Sequence, residues 1–252
     1  MKLRSIENAI YEASSPAIIA FLTAGYPSKE IFLDLLIKVS KVADVIEIGV
    51  PFTDPFADGL TIQRASHTAL TNGVTVKWII EEVKRLQGSI ECPIALMSYM
   101  NPLIAYGFDK LSSDSEKAGI SGFIVPDLPI EESAVLKNNL YQNNIDLIQL
   151  VSPATPNDRL ISLCEASSGF VYAVTKTGVT GGEKELPDNI IQYLQNVKVY
   201  SKTPVCAGFG IRTKEQIQEL SPYIDGVILG SVIIDGIDNG IDIIKFLESL
   251  KK

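Results

Sequence analysis

One histidine, His67, is all that 252 residues offer, so a multi-histidine metal centre is excluded, and its place inside a predicted helix assigns it a structural rather than a catalytic role. The three cysteines, Cys92, Cys164 and Cys206, are odd in number, far apart and without CxxC spacing. They support neither a disulfide framework nor a zinc site, and read as small buried hydrophobes. No metal is expected. No stretch reaches the roughly 18 apolar residues of a membrane span, and Glu7 and Glu12 interrupt the segment where a signal peptide needs an apolar core. A cytoplasmic location with no membrane association is the expectation. Basic residues number 22 against 30 acidic ones, a net charge of −8, with no basic run able to neutralise a phosphate backbone; nucleic acid is not an expected partner. GxSxG, P-loop and dinucleotide fingerprints are missing, and no lysine stands alone in an apolar strand as a Schiff-base nucleophile would. Covalent and redox chemistry are thereby disfavoured.

What is present is an alternation of short apolar β-rich runs with amphipathic stretches, the pattern of a parallel sheet built from βα units. Candidate strands are Ala17–Leu22, Val45–Gly49, Pro93–Ser98, Gly122–Val125, Asp146–Val151, Phe170–Val174, Val205–Gly208 and Gly226–Gly230. About eight strands close a barrel, where an open doubly wound sheet more often stops near six. Between them, Ser28 can cap a helix with Phe32, Leu35, Leu36 and Val39 on one stripe, and Ile190, Ile191, Leu194 and Val197 repeat the spacing. Helices are also predicted over Leu3–Glu12 and Ile241–Leu250. No linker or composition break divides the chain. The expectation is one domain over residues 1–252, an α/β fold of the (β/α)8 TIM-barrel type with an extra N-terminal helix.

In such a barrel, function gathers at the carboxyl ends of the strands. The second strand is the unusual one. Ile46 and Ile48 flank Glu47, and strand alternation puts the isoleucines on one face and the glutamate on the other. If the isoleucines face the helices, Glu47 points into the barrel mouth, where desolvation raises its pKa toward the range useful for proton transfer. The competing reading is a glutamate satisfied by backbone donors at a strand end. The following loop presents Thr53, Asp54 and Asp58 among prolines and a glycine. Asp58 is either a second working carboxylate or a turn aspartate bonded to its own backbone.

Late in the chain, glycines punctuate Thr177–Gly182, Ala207–Ile211 and Leu229–Ser231, after strands six, seven and eight. Each alone could be a tight turn. Together they can converge backbone N–H groups on a phosphate, whose usual barrel position follows strands seven and eight. With Phe21, Tyr99 and Tyr172 at strand ends to line an apolar pocket, the remaining chemistry is proton transfer on a phosphorylated substrate with an uncharged ring.

The segments FLTAGYP, IEIGVPFTDPFADG, YMNPLIAYG, FIVPDLP, GVTGG, AGFGI and LGS, in this order over nearly the whole chain, resemble the tryptophan synthase alpha subunit family. The resemblance implies a barrel that cleaves indole-3-glycerol phosphate to indole and glyceraldehyde 3-phosphate, with no cofactor of its own. It also implies a partner, the pyridoxal-phosphate-dependent beta subunit, in an alpha2beta2 heterotetramer, with indole passed through a tunnel. By the same resemblance Glu47 is the general acid and base, Asp58 the carboxylate bonded to the indole N–H, and Tyr172 the active-site tyrosine. Thr180 is then the sixth-loop threonine that bonds Asp58 on closure, and Phe21 and Tyr99 contact the ring. The phosphate would rest on N–H groups near Gly181, Gly210, Gly230 and Ser231, with the Ser231 hydroxyl as an added donor. Leu60, Lys176 and Glu183 depart from the residues usual in the family. Apolar groups at Pro55, Phe56, Pro102 and Leu103 on the catalytic face either meet the partner or pack on one another.

Two rival readings differ in class. A catalytically weak subunit that serves to activate the beta partner is distinguished by absent indole release. An aminoaldose-type sugar-phosphate isomerase needs acids at the ends of strands one and five, where this chain has Phe21-Leu-Thr and Leu150-Val-Ser.

Overall fold

A computed structural model describes residues 5–14, 16–175, 189–208 and 210–251. Eight strands, each hydrogen-bonded in parallel to the next, close on themselves in sequence order. They are β1 (Ala17–Thr23), β2 (Val45–Gly49), β3 (Ile94–Met97), β4 (Ile120–Ile124), β5 (Asp146–Val151), β6 (Val171–Val174), β7 (Val205–Gly208) and β8 (Gly226–Leu229). Among the helices, α1 (Ile6–Tyr11) precedes the barrel and α2 (Lys29–Val39) follows β1. Two helices follow β2, α3 (Leu60–Thr71) and α4 (Val76–Arg85), and two follow β3, α5 (Met100–Tyr106) and α6 (Phe108–Ala118). Then α7 (Ala134–Gln142), α8 (Asn157–Ala166), α9 (Ile190–Tyr200) and α10 (Lys214–Leu220) follow β4 to β7, and α11 (Ser231–Asp238) and α12 (Ile243–Lys251) follow β8.

Side-chain alternation along the strands divides the core in two. Ile18, Ala20 and Leu22 of β1 and Ile46 and Ile48 of β2 pack outward against the buried Phe32, Leu36 and Val39 of α2. Ala17, Ile19, Phe21, Val45, Ala95, Met97, Ile148, Tyr172, Cys206 and Ile228 fill the interior. Both faces of every strand are therefore covered, as a parallel sheet requires. The interior cluster also takes in Ile6 and Ile10, so α1 closes the amino-terminal end of the barrel.

The expected elements are present, with shifted ends. The first helix begins at Ile6 because Ser5 caps it, its Oγ accepting from the Asn8 amide at 3.2 Å; residues 1–4 lie outside the described set. The last helix starts two residues later than expected, where Asp242 accepts from the Lys245 amide at 3.2 Å. β4 opens at Ile120 rather than Gly122, since a register shift against β3 takes up the additional residue. Gly122 owes its place to α1: a Cβ there would stand 2.8 Å from Ile6 Cδ1.

Glycine serves the aromatic residues in the same way. A Cβ at Gly49 would lie 2.4 Å from Cζ of Phe21, and one at Gly208 would lie 2.7 Å from Tyr172 Oη. Each ring lies across the backbone of a neighbouring strand and is thereby held at the barrel mouth. Gly49→Ala must displace the Phe21 ring, and is expected to destabilise the fold by about 1–3 kcal/mol as an overpacking change. Urea denaturation measures this, and an unchanged midpoint would show that the ring does not depend on that gap.

Candidate active site

Glu47 projects inward from the middle of β2, paired in register with Phe21 of β1 and Ala95 of β3. It is fully buried, and neither carboxyl oxygen has a hydrogen-bond partner among the described residues. The backbone-satisfied alternative is therefore not what the structure holds. An unpartnered buried carboxylate is costly, so burial, reinforced by the nearby Asp58 charge, raises the Glu47 pKa to about 8. At neutral pH it keeps its proton.

Asp58 ends the loop from β2, just before Gly59 at the start of α3. Its carboxyl receives the Tyr99 hydroxyl at 3.3 Å, while the same Tyr99 oxygen accepts from the Ala57 amide at 3.0 Å. Tyr99 thus fastens the loop to the end of β3. Phe52 stacks on the Tyr99 ring at 5.0 Å and Phe56 tilts against it at 5.3 Å. Burial raises Asp58 to about 6, the tyrosine hydrogen bond opposing the rise. The two carboxyl groups are consequently offset, Glu47 protonated and Asp58 ionised between about pH 6 and 8.

Both groups line one cavity of about 470 Å³, counting its open mouth, together with Phe21, Met97, Tyr172, Gly210, Gly230 and Ser231. Tyr99 is not on that wall. It lines an adjoining cavity of about 310 Å³ that shares Phe21, Asp58, Ile62 and Met97 with the first. Gly210 has φ +96°, a conformation that needs glycine, and Ser231 opens α11 behind Gly230. The Ser231 and Val232 N–H groups open that helix, ahead of the Ile233 and Ile234 amides bonded to the Gly230 carbonyl at 2.9 and 3.2 Å, and suit an anion. Gly181 and Thr180, with Lys176 and Glu183, lie outside the described residues.

Some readings need correction. Leu103 is fully buried, because it lies on the face of α5 that packs into the outer core between strands and helices. Ile104 stands outside instead, and with Phe56 and Leu60 is 56%, 64% and 75% exposed respectively. His67 is exposed on α3, and all three cysteines are buried. Sequence reasoning missed Met97, Ile62 and Ile228 on the cavity wall. Period-two alternation in β3 and β8 was the available signal for the first and last.

A closed barrel whose mouth holds one protonated and one ionised carboxyl group beside a helix start open to anions is the architecture of a proton-transfer enzyme. Comparison with known proteins is specific. The family model described as tryptophan synthase alpha chain matches residues 8–250. The tryptophan synthase alpha chain of Petrotoga mobilis is 39% identical over 95% of this chain and 93% of its own length. That of Nitratidesulfovibrio vulgaris is 40% identical over 99% and 98%. Among solved structures, Mycobacterium tuberculosis tryptophan synthase superposes with TM-score 0.88 at 31% identity, covering 99% of this chain and 96% of that one. The tryptophan synthase complex of Pyrococcus furiosus gives 0.85 at 30% identity, covering 94% and 96%. The chain belongs to the tryptophan synthase alpha chain family, lyases that cleave indole-3-glycerol phosphate in tryptophan biosynthesis. No described helix is long and apolar enough to cross a membrane.

The burial of Glu47 makes a thermodynamic prediction. Between pH 4.5 and about 8 the folded chain keeps a proton at this site that the unfolded chain releases, so the site costs stability increasingly as pH rises through that window. Glu47→Gln is expected to raise Tm relative to wild type, by more at pH 9 than at pH 5. An equal difference at the two pH values would mean that the wild-type carboxyl ionises normally.

Proposed function

We propose that Glu47 and Asp58 perform the retro-aldol cleavage in one barrel domain spanning residues 1–252. Glu47, protonated at neutral pH, delivers its proton to C3 of the indole ring. Asp58, ionised, accepts a hydrogen bond from the ring N–H and stabilises the positive charge that protonation creates. The Glu47 carboxylate then takes the proton of the glycerol hydroxyl as the carbon–carbon bond breaks. The bonding pair returns to the ring, giving indole and glyceraldehyde 3-phosphate, and Glu47 ends protonated as it began. Phe21 and Tyr172 flank the ring, and Tyr99 holds the loop that presents Asp58. The phosphate rests at Gly210, Gly230 and Ser231, so that binding energy far from the reacting carbon positions it. The observation that carries this reading is the buried, unpartnered carboxyl of Glu47 on the wall shared with Asp58.

The chain needs no cofactor and no metal of its own. Pyridoxal phosphate belongs to the partner, the tryptophan synthase beta subunit, in an alpha2beta2 assembly in the cytoplasm. The exposed Phe56, Leu60 and Ile104 at the mouth, ordinarily an unfavourable surface, support that partnership.

Steady-state indole release by the isolated chain, and by its mixture with a beta chain, tests the assignment. Glu47→Gln is expected to lower release about 10²–10⁴-fold, the range for a lost general acid and base. The wild-type kcat/KM should be bell-shaped with limbs near pH 6 and 8, values belonging to the coupled pair. Near-normal turnover by Glu47→Gln would remove the proton-carrier role. No release from wild type in either sample would favour a purely activating subunit.

A further inference from the structure

The proposed phosphate seat has an electrostatic difficulty. Its cavity is lined by two carboxyl groups, Glu47 and Asp58, and by no lysine or arginine among the described residues. Backbone N–H groups and the Ser231 hydroxyl, all uncharged, must then hold a dianion close to acidic side chains. A cation stands one contact behind this wall. Arg212 follows the lining residues Gly210 and Ile211 after β7, and its Nη1 is 3.4 Å from Ser231 Oγ.

Arg212 is held in place at both ends. Its amide donates to Gln216 Oε1 at 2.8 Å, within the capping box that Thr213 and Gln216 form at the start of α10. Its Nη2 donates to Asp235 on α11, which also accepts from Thr61 Oγ1 of α3 at 3.2 Å. The Arg212 and Asp235 side chains are 37% and 31% exposed, so neither is locked in the core. A guanidinium offers five donors in a planar fork; one edge here is used by Asp235 and the other faces Ser231. That a ligand belongs in this cavity is supported independently by Glu47, fully buried and unpartnered on the same wall.

We propose that Arg212 determines specificity for the substrate phosphate, its Nη1 donating to a phosphate oxygen seated at Ser231, with Asp235 attenuating its charge. The inference rests on the phosphate seat of the preceding section. It has a consequence of opposite sign at two positions: removing the cation weakens phosphate binding, and removing the carboxylate that neutralises the cation strengthens it. Asp235 therefore keeps the seat from holding phosphate too tightly for product release.

The test measures binding of inorganic phosphate to the full chain by titration calorimetry, alongside its inhibition of indole release. Arg212→Gln is expected to weaken phosphate binding at least about tenfold, the effect of one lost charge-assisted hydrogen bond, and to raise KM by more than it lowers kcat. Arg212→Lys should recover part of the loss. Asp235→Asn is expected to tighten phosphate binding at least about threefold, a gain that a merely destabilised protein would not give. Affinity for indole, which lacks phosphate, should follow neither change. Equal phosphate affinity in wild type and Arg212→Gln, or weaker binding by Asp235→Asn, overturns the inference. Absence of phosphate binding by wild type overturns it together with the seat. Phosphate binding that follows the two variants as expected, in a chain that releases no indole, would support the Arg212 assignment while removing the lyase chemistry proposed for Glu47.

Discussion

A carboxylic acid sits inside a closed sheet with no donor to meet it, and the rest of the site is arranged around that fact. Burying an ionised carboxylate without partners costs several kcal/mol or more, whereas the neutral acid costs far less, so the fold itself selects the protonated form. The selection is made by the sheet. The outer face of β2, Ile46 and Ile48, is buried in the outer core, and the register with β1 and β3 places Glu47 between Phe21 and Ala95, neither of which can donate a hydrogen bond from its side chain. Asp58 adds to the effect: it carries negative charge more readily than Glu47, so its field further disfavours a second anion. Two carboxyl groups of similar intrinsic acidity are separated into acid and anion by depth and by the single hydroxyl of Tyr99.

Depth also orders the tasks along the cavity. Rigid parts carry what must not move: Glu47 is on a strand, and the Phe21 and Tyr172 rings are wedged over Gly49 and Gly208. Asp58 is carried by a loop, fastened through Tyr99 and by Ser66, whose Oγ accepts from the Phe52 amide at 2.9 Å. The seat proposed for the phosphate is separate again, at Gly210 and the start of α11, with the Arg212 and Asp235 pair behind it. The same Asp235 reaches Thr61 in the first turn of α3, directly after the segment that presents Asp58. A polar chain thus runs from Ser231 through Arg212 and Asp235 to Thr61, three residues from Asp58.

Much of this was legible in the sequence because it depends on local periodicity. Alternation around Ile46 and Ile48 settles which way Glu47 points once helices cover the outside, and the βα rhythm yields the barrel. Glycine positions were only half legible: Gly210 fits the anion-binding expectation, yet Gly208 in the same motif exists to admit the Tyr172 ring, a contact between strands that no single segment records. Leu103 lies in the outer core rather than on the catalytic face, because the segment around it is a helix, α5, whose inner face it occupies while its neighbour Ile104 stands outside. That Tyr99 also fastens the Asp58 loop depends on a contact 41 positions away in sequence, which no single segment records. The Arg212 and Asp235 pair was invisible, since the two residues are 23 positions apart, one in the loop after β7 and one on α11, and each alone is an ordinary surface charge.

The direct measurement is the protonation state of Glu47 in the unliganded protein, followed by its carboxyl carbon chemical shift in a ¹³C-glutamate-labelled sample, assigned by comparison with Glu47→Gln. A midpoint near pH 8, far above the ordinary glutamate range, is the predicted result. A resonance already that of a carboxylate at pH 6 would contradict the account, because a group that has given up its proton there cannot begin the reaction as the acid.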